Sequence, residues 1–443
     1  MQHPDNIDLL IEPDWILPVD PADVVLENHA VAISDGRIID VLPTTEAKQR
    51  FKARSKKRLE GHVLIPGLIN LHTHGAMSLF RGLADDLALM DWLSKHIWPA
   101  ESRLISEEFI YDGTLLACAE MLKGGVTCFN DMYFFPEQAG RAALAAGMRS
   151  SLGIVLIEFP TPYASDAQDY LRKGLASRDH LKNEELTTFC MAPHAPYTVS
   201  DGSFEQIVTL AEQLDIPIHL HLHETEGEIT DHIKQHGVRP LERMQRLGLL
   251  GPRLIAVHAV HLDDMEIAQL AAQGCSVAHC PASNLKLASG FAHVGKLLNA
   301  GVNVGIGTDG AASNNRLDVL SELRLAALVS KAESGNARTM SAHTALRMAT
   351  LDGARALGLD QRIGSITRDK FADLTAIDLS TALELVPWYD PASHLIYVAG
   401  REHVTHVWVH GKEVVTAGEF NDIDERRLIA KARSWQRQIA ANH

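Results

Sequence analysis

Pro66-Gly67-Leu68-Ile69-Asn70-Leu71-His72-Thr73-His74 sets two imidazoles one residue apart at the end of an apolar run. Alternate residues of a β-strand point to the same side, so His72 and His74 aim at one point in space. The preceding residues, His62-Val63-Leu64-Ile65-Pro66-Gly67-Leu68-Ile69, are apolar enough for a buried strand that carries the histidines at its C-terminal end. Parallel α/β barrels keep their chemistry at that end of their strands. Taken alone, the pair reads equally as two hydrogen-bonded core histidines.

Seven more short apolar runs follow, over 126–131, 148–153, 188–194, 216–221, 254–258, 276–279 and 302–309. Helical patterns such as 204–214 separate them. Strand-then-helix repetition with eight strands predicts an α/β fold, a (β/α)₈ TIM barrel. An open doubly wound sheet is the alternative, although no glycine-rich dinucleotide fingerprint follows the first strand. Most of the runs end on a polar residue: His74, Asp131, His194, His221, His258, His279 and Asp309. In a barrel those side chains gather around one mouth.

The two ends of the chain have a different texture. Ala30-Val31-Ala32-Ile33 and Ile38-Ile39-Asp40-Val41 flank Asp35-Gly36, the pattern of a β-hairpin. Alternating strands broken by glycine return over 372–378 and 404–414. The expected organisation is a small discontinuous β-sandwich built from both termini (1–65 and 368–420) around the barrel (66–367). A C-terminal amphipathic helix (421–443) with a packing role completes it. Two separate β appendages are the alternative.

Composition narrows the function. A net charge of −15 over 443 residues disfavours nucleic acid and anionic membranes, which need a basic face. No run is long and apolar enough for a membrane span, and the N-terminus lacks the features of a signal peptide. The five cysteines, Cys118, Cys128, Cys190, Cys275 and Cys280, form no CxxC pair and read as reduced thiols of a cytoplasmic enzyme.

His72, His74, His221 and Asp309 supply three neutral imidazoles and a carboxylate, a set suited to one divalent cation. Zinc is the first expectation, with iron(II) and manganese as alternatives. The metal would lower the pKa of water in its open position from about 15.7 toward roughly 7. Glu224, three residues past His221, is placed to shuttle a proton; its alternative is a glutamate opening an acidic helix turn. His258 is the candidate to hydrogen-bond the reacting oxygen beside Asp309. His194 is a candidate substrate contact, His279 is divided between cavity and core, and His219 and His223 read as structural.

Four stretches carry a resemblance: the one around His72, His221-Leu222-His223-Glu224-Thr225, His258-Ala259-Val260-His261-Leu262 and Gly307-Thr308-Asp309-Gly310-Ala311-Ala312-Ser313-Asn314-Asn315. With Pro281-Ala282-Ser283-Asn284-Leu285-Lys286-Leu287 they resemble the amidohydrolase superfamily, and within it the 5′-methylthioadenosine/S-adenosylhomocysteine deaminases. The resemblance implies a distorted barrel with a discontinuous β-sandwich, a metal held by His72, His74, His221 and Asp309, and catalysis by Glu224, His258 and Asp309. The fourth strand ends Met191-Ala192-Pro193-His194, without the carboxylated lysine of binuclear relatives, which implies a single metal. Glu101 falls where relatives bind the ribose hydroxyls, and His194 where they bind the nucleoside; an exposed helix glutamate is the alternative for Glu101. Ile154 falls where some relatives carry an arginine for the amino-acid carboxylate of S-adenosylhomocysteine. That favours 5′-methylthioadenosine, with S-adenosylhomocysteine and adenosine as further candidates. The implied reaction is hydrolytic deamination, by a dimer or tetramer of the chain. Alternatives are a guanine or pterin deaminase, a triazine chlorohydrolase, a barrel scaffold without chemistry or a histidine-rich metal store.

Overall fold

Gly67 divides the run in front of His72 into two strands that belong to different sheets. The computed structural model describes residues 4–441, so residues 1–3 and 442–443, the outer ends of the terminal spans expected above, lie outside it. Its first strands are β1 (Asp5–Ile16), β2 (Leu26–Glu27), β3 (His29–Ser34), β4 (Arg37–Pro43) and β5 (Phe51–Pro66). Next come β6 (Leu68–Thr73), β7 (Val126–Asp131), β8 (Arg149–Leu156), β9 (Thr187–Pro193), β10 (Ile218–Leu222), β11 (Leu254–His258), β12 (Ser276–His279) and β13 (Asn303–Ile306). β14 (Leu374–Asp378), β15 (Val404–Val409), β16 (Lys412–Thr416) and β17 (Glu419–Phe420) end the series.

The single buried strand expected over 62–69 is therefore two. At the break the Gly67 N–H donates to the Asp373 carbonyl at 2.8 Å. A Cβ at Gly67 would sit 2.1 Å from the Thr127 hydroxyl, so only glycine lets the chain pass between the sheets here.

β6 to β13 pair in chain order, all in parallel, with helices between them. Their near-continuous apolar sequence follows from burial on both faces. The last strand meets the first through the Thr308 and Asp309 N–H groups, which donate to the His72 carbonyl at 3.1 and 3.0 Å. Asn70 clamps the same seam: its Oδ1 accepts from Thr308 N–H at 3.0 Å and its Nδ2 donates to Thr308 Oγ1 at 2.8 Å. This is the expected eight-stranded barrel.

The termini build one mixed sheet in the order β17-β16-β15-β14-β5-β1-β3-β4, with β2 on β1. Ile11, Ile33, Leu64, Leu374 and Trp408 share one apolar cluster, so both ends of the chain contribute to the same core. The sheet folds over on itself. Ala372 N–H donates to the Gly36 carbonyl at 2.8 Å, and a Cβ at Gly411 would lie 2.8 Å from Gly36 Cα. The turns of the β3–β4 and β15–β16 hairpins thus meet, and two independent appendages are excluded. The helix Glu425–Ala441 lies on Glu107–Lys123, where Trp435 packs edge-on against Phe109 and its Nε1–H donates to Asp112 at 2.8 Å.

One buried ion pair joins sheet and barrel. Arg149, at the start of β8, donates from Nε and Nη2 to the two oxygens of Asp373 at 2.8 and 3.1 Å, and both side chains are 2% exposed. Removing one member of such a pair strands a buried charge. Arg149→Ala is therefore expected to destabilise the fold by about 3–5 kcal/mol, measured by urea denaturation against the unsubstituted protein.

Candidate metal centre and cavity

Strand alternation and strand ends bring four distant residues together. His72 lies in β6 and His221 in β10, whereas His74 and Asp309 follow just after β6 and β13. The apolar run over 302–309 predicts strand up to Asp309; β13 instead stops at Ile306, and Asp309 has φ +62°. One donor atom from each of His72, His74, His221 and Asp309 lies within 4.8 Å of the others.

The hydrogen bonds behind these rings fix which nitrogen faces the centre. His74 Nδ1–H donates to the Met132 carbonyl at 2.6 Å, and His221 Nδ1–H to the His194 carbonyl at 2.8 Å. His72 Nδ1 meets His219 Nε2 at 2.9 Å. Each ring is thereby held with its Nε2 directed inward, the kind of outer hydrogen bonding that orients imidazole toward a cation. His72 Nε2 and His74 Nε2 are both 3.2 Å from Asp309 Oδ1. Asp309 Oδ2 is held from behind by Ser283 Oγ at 2.6 Å and Ser313 Oγ at 2.7 Å.

Electrostatics points the same way. Burial pushes the His72 imidazole down to about 4 against the pull of Asp309, and burial with neighbouring imidazoles holds His221 well below its usual range. Burial also acts to raise Asp309, but hydrogen bonds from His72 and His74 outweigh it and keep the carboxyl well below the usual carboxylate range. His74 is raised to about 9, because Asp309 overrides the burial that would lower it. A buried carboxylate thus draws positive charge to the point where three imidazole nitrogens converge. Three nitrogen donors and one oxygen donor fit one divalent ion of the zinc type.

A cavity of about 350 Å³ opens above this centre. His74, His194, His221, Glu224, His258 and Asp309 line its floor. Glu224 precedes the N-cap Thr225 and the helix Glu226–His236, so it is not part of the helix's acidic first turn. Burial raises its carboxyl above the usual range. His258 has φ +69°, which turns its ring off β11 and into the cavity, with Nε2 3.8 Å from Glu224 Oε2. Its Nδ1–H donates to Asn284 Oδ1 at 2.8 Å. Leu89, Trp92, Ile97, Phe134, Ile157 and Phe159 supply apolar walls, and Tyr133 and Glu101 a polar corner.

The sequence profile of the amidohydrolase family matches residues 63–414, from the end of β5 through the whole barrel and into β16. The chain belongs to the amidohydrolase family. Among relatives of this amidohydrolase, the 5-methylthioadenosine/S-adenosylhomocysteine deaminase of Saccharophagus degradans is 46% identical over 434 residues, covering 98% of this chain and 97% of its own. The 5′-deoxyadenosine deaminase of Methanothermobacter thermautotrophicus is 39% identical, covering 92% and 94%. A crystal structure of an adenosine deaminase from Xanthomonas campestris with bound zinc is 50% identical with a TM-score of 0.98, covering 99% of this chain and 100% of that one.

Other sequence expectations meet the amidohydrolase cavity less evenly. Glu101 and His194 both line it, so Glu101 is not an exposed helix glutamate. Asp131 and His279 do not line it. Asp131 instead accepts from Gly75 N–H at 2.7 Å and pins the turn after His74, while His279 is buried with neither ring nitrogen hydrogen-bonded. Ile154 needs correction: a Cβ at Gly174 would lie 2.4 Å from its Cγ2, so it faces the helix Ala167–Leu181 and not the cavity. Val155 and Ile157 form that part of the wall.

Several contributors were not foreseen. His219, read as structural, is the hydrogen-bond partner of His72. Glu228 accepts from the His223 and Glu224 N–H groups at 3.0 and 2.8 Å, holding the backbone that carries Glu224. Ser283 and Asn284 act through Asp309 and His258. The only sequence signal for that pair was the stretch beginning at Pro281, which names no partner.

Proposed function

We propose that the protein is a zinc-dependent deaminase that converts an adenosine-type nucleoside into the inosine-type product and ammonia, with 5′-methylthioadenosine preferred. The observation that carries the reading is the convergence of three oriented imidazoles and Asp309 beneath a cavity that also holds Glu224 and His258. The deaminase names of the full-length relatives support the substrate class. Among the described residues lining the cavity there is no Lys or Arg, which leaves the carboxylate of S-adenosylhomocysteine without a cationic partner.

His72, His74, His221 and Asp309 would hold the metal, which supplies Lewis-acid activation of water near neutral pH. Glu224 takes one proton from the attacking water and delivers it to N1 of the purine. The water oxygen bonds to C6 while His258 hydrogen-bonds it, which turns the ring carbon tetrahedral. Asp309 takes the second proton and passes it to the amino group. The C6–N bond then breaks, ammonia leaves, and C6 becomes a carbonyl beside the protonated N1. His194 lies against the same floor as a nucleoside contact, and Glu101 accepts from the ribose hydroxyls.

Asn284 aims His258, so Asn284→Ala is expected to lower kcat about 10–100-fold with metal content retained, as loss of a supporting hydrogen bond does elsewhere. Steady-state kinetics with metal analysis checks it. The reading as a whole is tested with zinc-loaded enzyme on 5′-methylthioadenosine, adenosine and S-adenosylhomocysteine, following the loss of adenine absorbance. Turnover in that order of kcat/KM supports it; no turnover of any of the three refutes it.

The proposed setting is cytoplasmic, in keeping with five unpaired, buried cysteines. No helix among the described residues is long and apolar enough to cross a membrane. A dimer or tetramer is the proposed assembly, to be measured by light scattering.

A further inference from the structure

We infer that Tyr133 is a specificity-determining residue: its hydroxyl holds Glu101 so that the remaining carboxylate oxygen reads the 2′,3′-cis-diol of a ribonucleoside. The inference rests on the nucleoside reading above and deepens it. Tyr133 lies two residues past β7, 6% exposed, and its hydroxyl donates to Glu101 Oε1 at 2.6 Å. Oε2 of the same carboxyl receives no hydrogen bond from the protein among the described residues, and the side chain lines the cavity. Glu101 also has no cationic side chain bonded to it among the described residues, so the tyrosine is what orients it.

Two features of the chain set this pair in place. The helix Trp98–Leu104 that carries Glu101 follows a π turn over Leu93–Ile97. Leu93, Ile97, Trp98 and Glu101 all line the cavity, and π turns, rare in general, are frequent at functional sites. From the other side, the Tyr133 ring lies 6.2 Å from that of His74, so the anchor of Glu101 is tied to the wall of the metal centre. The diol end of a ligand is thereby measured against the reacting end. A free carboxylate oxygen accepts from adjacent hydroxyls and offers nothing to a sugar that lacks them. Burial raises the Glu101 carboxyl to about 7, and the Tyr133 hydrogen bond and the nearby His74 both pull it back down.

The test compares adenosine with 2′,3′-dideoxyadenosine in zinc-loaded enzyme and in Tyr133→Phe, which keeps the ring and removes only the hydroxyl. KM for adenosine is expected to rise about tenfold in the variant, and KM for the dideoxy compound to move by less than about twofold. Glu101→Gln should lose the same discrimination, and adding Tyr133→Phe to it should change nothing more, since the two act as one unit. Equal effects on both nucleosides, or no effect on either, overturn the inference and reduce Tyr133 to packing. A full additional loss in the double variant overturns it as well. Failure of the unsubstituted enzyme to release ammonia from either nucleoside would instead overturn the nucleoside reading, so the two failures are distinct.

Discussion

Glu224→Gln is expected to bind metal as well as the unsubstituted protein and to lose about 10²–10⁴-fold in kcat. The amide is nearly the size of the carboxyl, so the cavity keeps its shape and Glu228 still holds the backbone at His223 and Glu224. What disappears is the ability to take a proton from water and carry it to the ring. Burial has already raised this carboxyl, which brings its proton affinity closer to that needed for a shuttle at neutral pH. KM should change little, because the proton transfer belongs to the transition state. Stopped-flow or steady-state ammonia release, read beside metal analysis, checks the result. Near-normal turnover would remove Glu224 from the mechanism and leave proton movement to Asp309 and His258 on the cavity floor.

Asp309→Ala is expected to do more, abolishing turnover and leaving the metal substoichiometric. The proposed mechanism gives the carboxylate two separate tasks. Oδ1 faces the Nε2 atoms of His72 and His74 at 3.2 Å each, where it would supply the anionic ligand. In the proposed reaction the same group takes the second proton of water. Its loss also leaves the Ser283 and Ser313 hydroxyls without the oxygen they bond. Asp309→Asn separates the tasks: an amide oxygen still offers a lone pair, so some metal should remain while turnover stays lost. Activity that returns when excess zinc is added to Asp309→Ala would argue against the second task.

The convergence of the four candidate metal ligands was legible in the chain because their geometry is local at each strand. His72 and His74 share a side by alternation, and His221 and Asp309 sit at or near strand ends that a barrel must bring together. The barrel itself was legible from the repeated apolar runs. The contacts that aim these groups were not, since each joins elements far apart in sequence: Tyr133 with Glu101, His219 with His72, Asn284 with His258, Arg149 with Asp373. No spacing rule connects such pairs. Ile154 shows how sharply a strand punishes a misplacement, because a shift of one residue moves a side chain to the opposite face. The wall expected of Ile154 belongs to Val155 and Ile157. The break at Gly67 was hidden for a related reason, as an apolar run looks alike whether one sheet buries it or two.

The shared metal is tested most directly by elemental analysis of the protein as purified and of the protein stripped by chelator and reloaded, beside the His72→Ala, His221→Ala and Asp309→Ala variants. The expected result is one equivalent of divalent metal in the unsubstituted protein, its removal together with activity, return of both on adding zinc, and substoichiometric metal in all three variants. Metal-free protein that turns over substrate, or variants that keep a full equivalent, would contradict it.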